Sequence, residues 1–99
     1  MTGTELITRK RQEQFTKRGI TVEMDVKYNK AMELAEAASV LAHPFGSVKK
    51  RFSHMPEDWN NEGALKMCSK PYKERLIIAG ALIAAEIDRL IYEEDNIEF

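Results

Sequence analysis

A chain of 99 residues has room for one hydrophobic core, and its formal net charge of −1 excludes a general nucleic-acid-binding protein, which would carry a clear excess of lysine and arginine. The single cysteine, Cys68, excludes an intramolecular disulfide and is typical of a reducing compartment. The longest apolar run, residues 76–85, is about half the length of a membrane span, and the first residues lack the apolar stretch of a signal peptide. We therefore expect a single cytoplasmic domain over residues 1–99 with no membrane partner.

The first predicted helix covers about residues 3–18. Thr2 and Glu5 have the spacing of a capping box, in which each side chain accepts a hydrogen bond from a free backbone amide. Gly19 is a typical stop. The apolar face is thin, so neighbouring segments must hold this helix in place. Residues 19–29 are expected to form an ordered connection without regular structure.

The second predicted helix covers about residues 29–42, where alanine and leucine recur at i, i+3 and i+4 spacing. We expect it to end before Pro44, because the residue that precedes a proline avoids the helical region. Residues 43–69 carry no strong pattern, yet they are too many for an idle loop in so small a domain. They are predicted to be irregular, with one or two short helices, and to be anchored by Trp59.

The third predicted helix covers about residues 70–93 and begins at Pro71, whose missing N–H costs nothing in a first helical turn. An apolar seam with coiled-coil spacing runs along it. This seam consists of Leu76, Gly80, Ile83, Ile87 and Leu90. We expect the seam to pack on Leu34, Leu41 and Phe15.

A second face of the third helix is rich in small residues. These are Ala79, Gly80, Ala81, Ala84 and Ala85. Gly80 costs roughly 1 kcal/mol relative to alanine inside a helix, which indicates a close contact that compensates for it. We expect this face to meet a second copy of the chain; the alternative is a monomer in which residues 43–69 cover it. The sequence thus predicts an all-α domain of three main helices, assembled as a homo-oligomer.

Four stretches together resemble a family of small, uncharacterised phage and prophage proteins. "ELITRKRQEQFTKRGIT" followed by Asp25 resembles the family's Glu-Arg-x-x-Gln helix, its Gly-aromatic-Thr turn and its aspartate. "ELAEAASVLA" and "RLIIAGALIAAEIDRL" resemble its next two helices, and "DWNNEGALKMCSKPYKERL" resembles the link before the last one. The chain departs from the pattern at Ile20, where an aromatic residue is usual, and at Lys10, where the glutamate is usual. The resemblance implies a phage origin and a helical fold, and no assigned activity.

The resemblance also indicates a second tier of candidate site residues, which match the polar positions of the family pattern. They are Arg11, Gln14, Asp25, Glu86 and Arg89. Glu86 and Arg89 lie on one helix face at i, i+3 spacing. A salt bridge between helices is the alternative role for these two residues.

An enzyme of the MazG-like class, a Mg²⁺-dependent nucleotide pyrophosphohydrolase, would need two i, i+3 carboxylate pairs on adjacent helices. Glu33 and Glu36 supply one pair. The second pair is missing, because Arg89 stands three residues after Glu86. An alternative for Glu33 and Glu36 is a solvated polar face.

Nucleophilic catalysis and zinc binding have weaker support. Cys68 lies in no catalytic motif, and a small half-buried apolar side chain is the better interpretation of it. His43 and His54 with Cys68 match no standard zinc spacing. We expect no catalytic residue, no metal site and no cofactor.

A nucleotide site is the strongest remaining interpretation. Cations that bind phosphates and aromatic rings that stack on bases flank both ends of the irregular segment. The candidate ligand-binding residues are Lys49, Lys50, Arg51, Trp59, Lys70, Tyr72, Lys73 and Arg75. The alternative is that these charges are simply solvated and that Trp59 belongs to the core.

We therefore expect a binding protein rather than an enzyme. The leading hypothesis is a phage counter-defence protein that sequesters a nucleotide immune signal of the cyclic oligonucleotide or cyclic ADP-ribose type, an inference by analogy. One alternative is a protein-interaction inhibitor of a host factor, acting through its basic first helix or its acidic end, residues 92–99. The other is the MazG-like pyrophosphohydrolase.

Overall fold

The computed structural model describes residues 1–18, 21–29 and 31–96, apart from the side chains of Phe15, Lys17 and Arg18. In that part of the chain a 3-10 turn lies at Glu57–Trp59, and the α-helices are α1 (Gly3–Arg18), α2 (Val22–Tyr28), α3 (Glu33–Ala42), α4 (Val48–Ser53), α5 (Glu62–Cys68) and α6 (Tyr72–Asp95). No β-strand occurs among the described residues, which confirms the all-α prediction. None of these described helices has both the length and the apolar character that crossing a membrane requires.

The long helix α6 is the centre of the fold, and α3, α1 and α2 pack against it. Ile78, Leu82 and Ala85 of α6 meet Leu34 and Leu41 of α3 in one continuous apolar core. The alanines of α3 permit this close packing, because Ala37 and Ala38 are both fully covered. The short helices α4 and α5 pack on each other beside this core.

The capping box predicted for α1 is present. The Thr2 N–H donates to Glu5 Oε1 at 3.1 Å, and the Glu5 N–H donates to Thr2 Oγ1 at 3.2 Å. Hydrogen bonding from the backbone N–H and the side chain of Thr2 to the carboxyl favours its ionised form and lowers the pKa of Glu5. The predicted bounds of this helix agree with those of α1.

The prediction of an irregular connection at residues 19–29 is wrong for its described part, because α2 forms there. Thr21 caps α2 by accepting a hydrogen bond from the Met24 N–H at 3.3 Å. Seven residues are too few to display a helical period, so the sequence pattern missed this helix. The next helix, α3, starts at Glu33 rather than near residue 29, because Met32 adopts a left-handed conformation with φ 71°.

Residues 43–69 contain short helices, as predicted. Ser47 caps α4 through the Lys50 N–H at 3.1 Å, and Asn61 caps α5 through the Ala64 N–H at 2.9 Å. Such side-chain caps satisfy backbone amides that a short helix leaves unpaired. Trp59 lies half-buried against the core, which is consistent with its predicted role as an anchor.

The orientation predicted for α6 is wrong, because the apolar seam that was expected inside lies on the surface. Leu76, Ile83, Ile87 and Leu90 are all exposed. The face that turns inward carries three charged side chains among its apolar ones. Its buried residues are Arg75, Ile78, Ala79, Ala81, Leu82, Ala85, Glu86 and Arg89. Hydrophobic periodicity treats charged positions as solvent-facing, so it selected the wrong stripe.

The prediction that the small-residue face of α6 meets a second copy of the chain is wrong as well. Ala79, Ala81 and Ala85 are covered by helices of the same chain, so they offer no surface to a second copy. Gly80 and Ala84 are half-buried, and Ile7 of α1 occupies the space beside Gly80. The close contact inferred from this glycine exists, but it is made within the chain.

Candidate functional site

A cavity of about 290 Å³ opens where the C-terminal end of α3 meets the loop that leads into α4. It combines a phenylalanine ring with two histidines, a lysine and an arginine. Its lining residues are Ser39, Val40, His43, Phe45, Gly46, Lys50, Arg51 and His54. Lys50 and Arg51, both predicted ligand-binding residues, are thus part of one concave surface.

Arg51 gives this cavity a rigid wall. Its Nη1 donates to the Gly46 carbonyl at 2.9 Å, and its Nε donates to the Cys68 carbonyl at 3.1 Å. Gly46 presents that carbonyl from a φ of 103°, a conformation that suits glycine and strains other residues. The guanidinium therefore connects the loop, α4 and the end of α5.

The aromatic side of the cavity is formed by Phe45 and His43. The Phe45 ring is 77% exposed and meets the His43 ring edge-on, with 6.4 Å between ring centroids. The Phe45 N–H donates to His43 Nδ1 at 3.2 Å, which orients the imidazole. Lys50 is exposed and forms no ion pair with any described residue. An exposed ring and an ammonium group without an ion pair therefore line the same cavity.

Sequence reasoning did not identify His43, Phe45 and His54 as lining residues. From the sequence, the two histidines are associated only with Cys68, as partners in catalysis or in zinc binding, and Phe45 has no predicted role. A signal was present, because Pro44-Phe45-Gly46 places an aromatic residue in a turn just before Lys49-Lys50-Arg51.

The other cations predicted for this site have different surroundings. Arg75 is buried and donates from Nη1 to the carbonyls of Leu41 at 3.0 Å and His43 at 2.9 Å, and from Nε to that of Lys70 at 3.1 Å. It therefore caps the C-terminal end of α3. Its guanidinium also lies 5.3 Å from the centre of the Tyr72 ring.

Four other predicted residues are exposed and do not line this cavity. They are Lys49, Lys70, Tyr72 and Lys73. Lys70 approaches Glu74 at 4.0 Å, an exposed pair that contributes little. Trp59 lines a different cavity. The structure thus brings together Lys50 and Arg51 and disperses the other members of the predicted set.

The second-tier residues converge at the junction of α1, α2 and α6. Arg89 is buried and pairs with Glu86 and, at 2.7 Å, with Glu93. Arg11 donates to Asp88 at 3.3 Å and to Gln14 at 3.2 Å. The pair Glu86–Arg89 lies within α6, whereas the Arg11–Asp88 pair joins two helices.

Asp25 of α2 completes this cluster. It is 2% exposed, and its Oδ1 accepts a hydrogen bond from Asn29 Nδ2 at 3.0 Å. Asn29 Oδ1 in turn accepts from Trp59 Nε1 at 3.3 Å. Burial raises the pKa of Asp25, and the nearby guanidinium groups of Arg11 and Arg89 only partly oppose that effect.

The residues considered for enzymatic chemistry do not assemble into a cluster. Within the described residues, no group of three or more His, Cys, Asp or Glu side chains has an arrangement that could hold a metal ion. Glu33 accepts a hydrogen bond from the Ala31 N–H at 3.2 Å, at the start of α3. Cys68 is fully buried, and desolvation raises the pKa of its thiol.

Comparisons with known proteins find no matching family model, no matching curated protein and no matching solved structure. The function of this chain is therefore inferred from its own geometry.

Proposed function

We propose that this protein binds and sequesters a nucleotide, without converting it, in the cavity between α3 and α4. The observation that carries the proposal is the position of Lys50 and Arg51 beside the exposed Phe45 ring in one cavity of about 290 Å³. Ammonium and guanidinium groups bind phosphate oxygens, and an aromatic face stacks on a base. The rigid Arg51 wall favours binding, because little ordering is needed when the ligand arrives.

The resemblance to small phage proteins supports a biological setting for such a binder. In that setting the ligand is a nucleotide immune signal of the cyclic oligonucleotide or cyclic ADP-ribose type, and the protein acts in the cytoplasm of the host. The buried Cys68 with its raised pKa makes a poor nucleophile, which also favours binding over covalent catalysis.

The proposed assembly is a homo-oligomer that forms through the exposed stripe of α6. This stripe consists of Leu76, Ile83, Ile87, Leu90 and Ile91. It extends for about 22 Å at 1.5 Å per residue, and Ile83, Ile87 and Leu90 follow the spacing of four and three residues of a helix-pairing seam. A row of exposed apolar side chains of this kind is typical of a protein interface.

The same stripe also favours the second candidate function, an inhibitor that binds a host protein. Ile97 and Phe99, at the acidic end considered for that role, lie outside the described residues. The two functions differ in what binds the stripe of α6 and in whether the α3–α4 cavity holds a ligand.

Native mass spectrometry of the purified protein, with and without cyclic di- and trinucleotides and cyclic ADP-ribose, tests the proposal. We expect an intact ligand to remain bound to a defined oligomer. The Lys50→Ala variant should lose at least about tenfold in affinity, because it removes a charged contact to phosphate. Lys49→Ala is the matched control, since it removes the same charge from an exposed neighbour that does not line the cavity.

Three outcomes would contradict the proposal. If the protein retains no nucleotide, sequestration is refuted and a host protein becomes the expected partner. Turnover of the ligand on addition of Mg²⁺ would instead support the pyrophosphohydrolase alternative. A monomer at micromolar concentration would refute the assembly through α6.

A further inference from the structure

A second cavity, of about 230 Å³, lies at the opposite end of α3, between α2, α6 and the turn that carries Trp59. Its wall is largely apolar, with a few polar side chains. The lining residues are Gln14, Met24, Asp25, Tyr28, Asn29, Leu34, Trp59, Leu82 and Ala85. None of them lines the α3–α4 cavity, so the two sites are separate.

The unusual feature of this wall is the carboxylate of Asp25. Its Oδ1 is bonded to Asn29, but its Oδ2 is buried without a hydrogen-bond partner among the described residues. A buried oxygen in this condition is costly, and native structures contain few of them. An unsatisfied acceptor in the wall of a cavity indicates that something absent from the chain donates to it.

The charges around Asp25 indicate what kind of donor fits. In the described part of the chain, Arg89 is paired with Glu86 and Glu93, and Arg11 is paired with Asp88. These three carboxylates already neutralise the two guanidinium groups that influence the pKa of Asp25. Asp25 adds a further negative charge, and among the described residues it has no ion-pair partner. The site therefore favours a cation.

We propose that this cavity binds a small organic cation with a flat apolar body, such as an amidinium, guanidinium or aryl-ammonium compound. An N–H of the cation donates to Asp25 Oδ2, and the flat body lies against Trp59 and the apolar wall. The position of Trp59 is set by its own N–H, which is bonded to Asn29. The same residue therefore orients both the ring and the carboxylate. Aromatic faces attract cations, and both Trp59 and Tyr28 line this cavity.

The inference is independent of nucleotide sequestration, and its test uses a reporter that belongs to the site. Trp59 is the only tryptophan in the chain, so intrinsic fluorescence reports on this cavity. Benzamidine, a planar amidinium, is titrated against the full chain, and benzamide, its neutral analogue of nearly the same shape, is titrated in parallel. We expect benzamidine to change Trp59 fluorescence and to bind at least about tenfold more tightly than benzamide.

Asp25→Asn should remove the preference for benzamidine, because it removes the charge and keeps the shape. Asp58→Asn is the matched control: Asp58 is exposed, stands next to Trp59 and does not line the cavity. Lys50→Ala should leave benzamidine binding unchanged, which separates this site from the nucleotide site.

Equal affinities for benzamidine and benzamide, or no response of Trp59 to either compound, would overturn the proposal. Retention of the preference in Asp25→Asn would overturn it too. If Asp25→Asn fails to fold, the comparison of the two compounds on the wild-type chain still decides the question.

Discussion

Ile7 of α1 lies in the space that a side chain at Gly80 of α6 would occupy. A Cβ atom added at Gly80 would lie 2.5 Å from Ile7 Cδ1 and 2.9 Å from Ile7 Cγ1, well inside contact distance. The glycine therefore lets α1 approach α6 closely, and this approach brings Arg11 within reach of Asp88. The contact links the packing of α1 to the buried charge cluster.

Gly80→Ala should lower the free energy of unfolding by about 1 kcal/mol. The gain in helix propensity, about 1 kcal/mol, is smaller than the cost of overpacking against Ile7, which is about 1–3 kcal/mol. Urea denaturation of Gly80→Ala, Ile7→Ala and the double variant measures the coupling. We expect Ile7→Ala to cost less in the Gly80→Ala background, whereas strictly additive values would contradict the contact.

Arg75→Met should lower the free energy of unfolding by about 2–4 kcal/mol. The substitution keeps most of the side-chain volume but leaves the carbonyls of Leu41, His43 and Lys70 without their donor. Lys73→Met on the exposed side of α6 is the control and should change stability by less than about 0.5 kcal/mol. Equal effects of the two substitutions in urea denaturation would show that Arg75 does not cap α3.

The stability difference between the wild type and Asp25→Asn should depend on pH. Burial raises the pKa of Asp25 above its ordinary value of 3.8, so the folded protein binds this proton more tightly than the unfolded chain. The free energy of unfolding therefore falls as the pH rises from 3.8 through the raised pKa of the folded state. At any pH above that raised pKa, the folded protein carries the full cost of the buried charge. At neutral pH the amide of Asp25→Asn avoids that cost, so the variant should be the more stable protein.

Urea denaturation at several pH values measures this difference, which should shrink as the pH approaches 3.8, where the wild-type carboxyl is protonated. Asp58→Asn, at an exposed carboxyl, is the control for a change of net charge. A wild type more stable than Asp25→Asn at neutral pH would mean that the guanidinium groups outweigh desolvation. Stabilisation by the loss of a charged group is typical of residues kept for binding rather than for folding.

Ile87→Glu should convert the proposed oligomer to a monomer without loss of the fold. Ile87 is 52% exposed at the middle of the α6 stripe, so a carboxylate there meets water in a monomer and apolar side chains in an oligomer. Light scattering coupled to size-exclusion chromatography gives the mass, and circular dichroism checks helicity. Lys73→Glu, also on α6 but outside the stripe, should keep the oligomeric mass. An unchanged mass for Ile87→Glu would place the interface elsewhere.

Much of the local structure was predictable because its signals lie close together in the chain. The capping box at Thr2 and Glu5, the end of α3 before Pro44 and the start of α6 after Pro71 each depend on a few neighbouring residues. The helix α2 was missed because seven residues are too few to display a helical period, and because its packing on α6 cannot be seen in the sequence.

The candidate sites were predictable only in part. The sequence indicated basic and aromatic residues near Lys50, but whether they share a cavity depends on distances in space. Arg75 was predicted as a ligand-binding cation, and the fold instead surrounds it with backbone carbonyls of α3. The family resemblance selected Asp25 and Arg89, yet only the packing of α2 on α6 shows that they influence one another.

The sequence by itself determined that the chain is helical, where α1 begins and ends, where α3 ends and α6 begins, and that Gly80 needs a close neighbour. These properties follow from backbone preferences, caps and periodicity, which act over a few residues. Only the tertiary structure decided which side of α6 is buried. Arg75 turns inward because carbonyls at the end of α3 accept its hydrogen bonds. Glu86 and Arg89 turn inward as an ion pair within α6, while Ile83 and Ile87 remain on the surface. Hydrophobicity patterns cannot anticipate that choice, because the energy of a buried charge depends on the geometry of its partners and on which helices cover it.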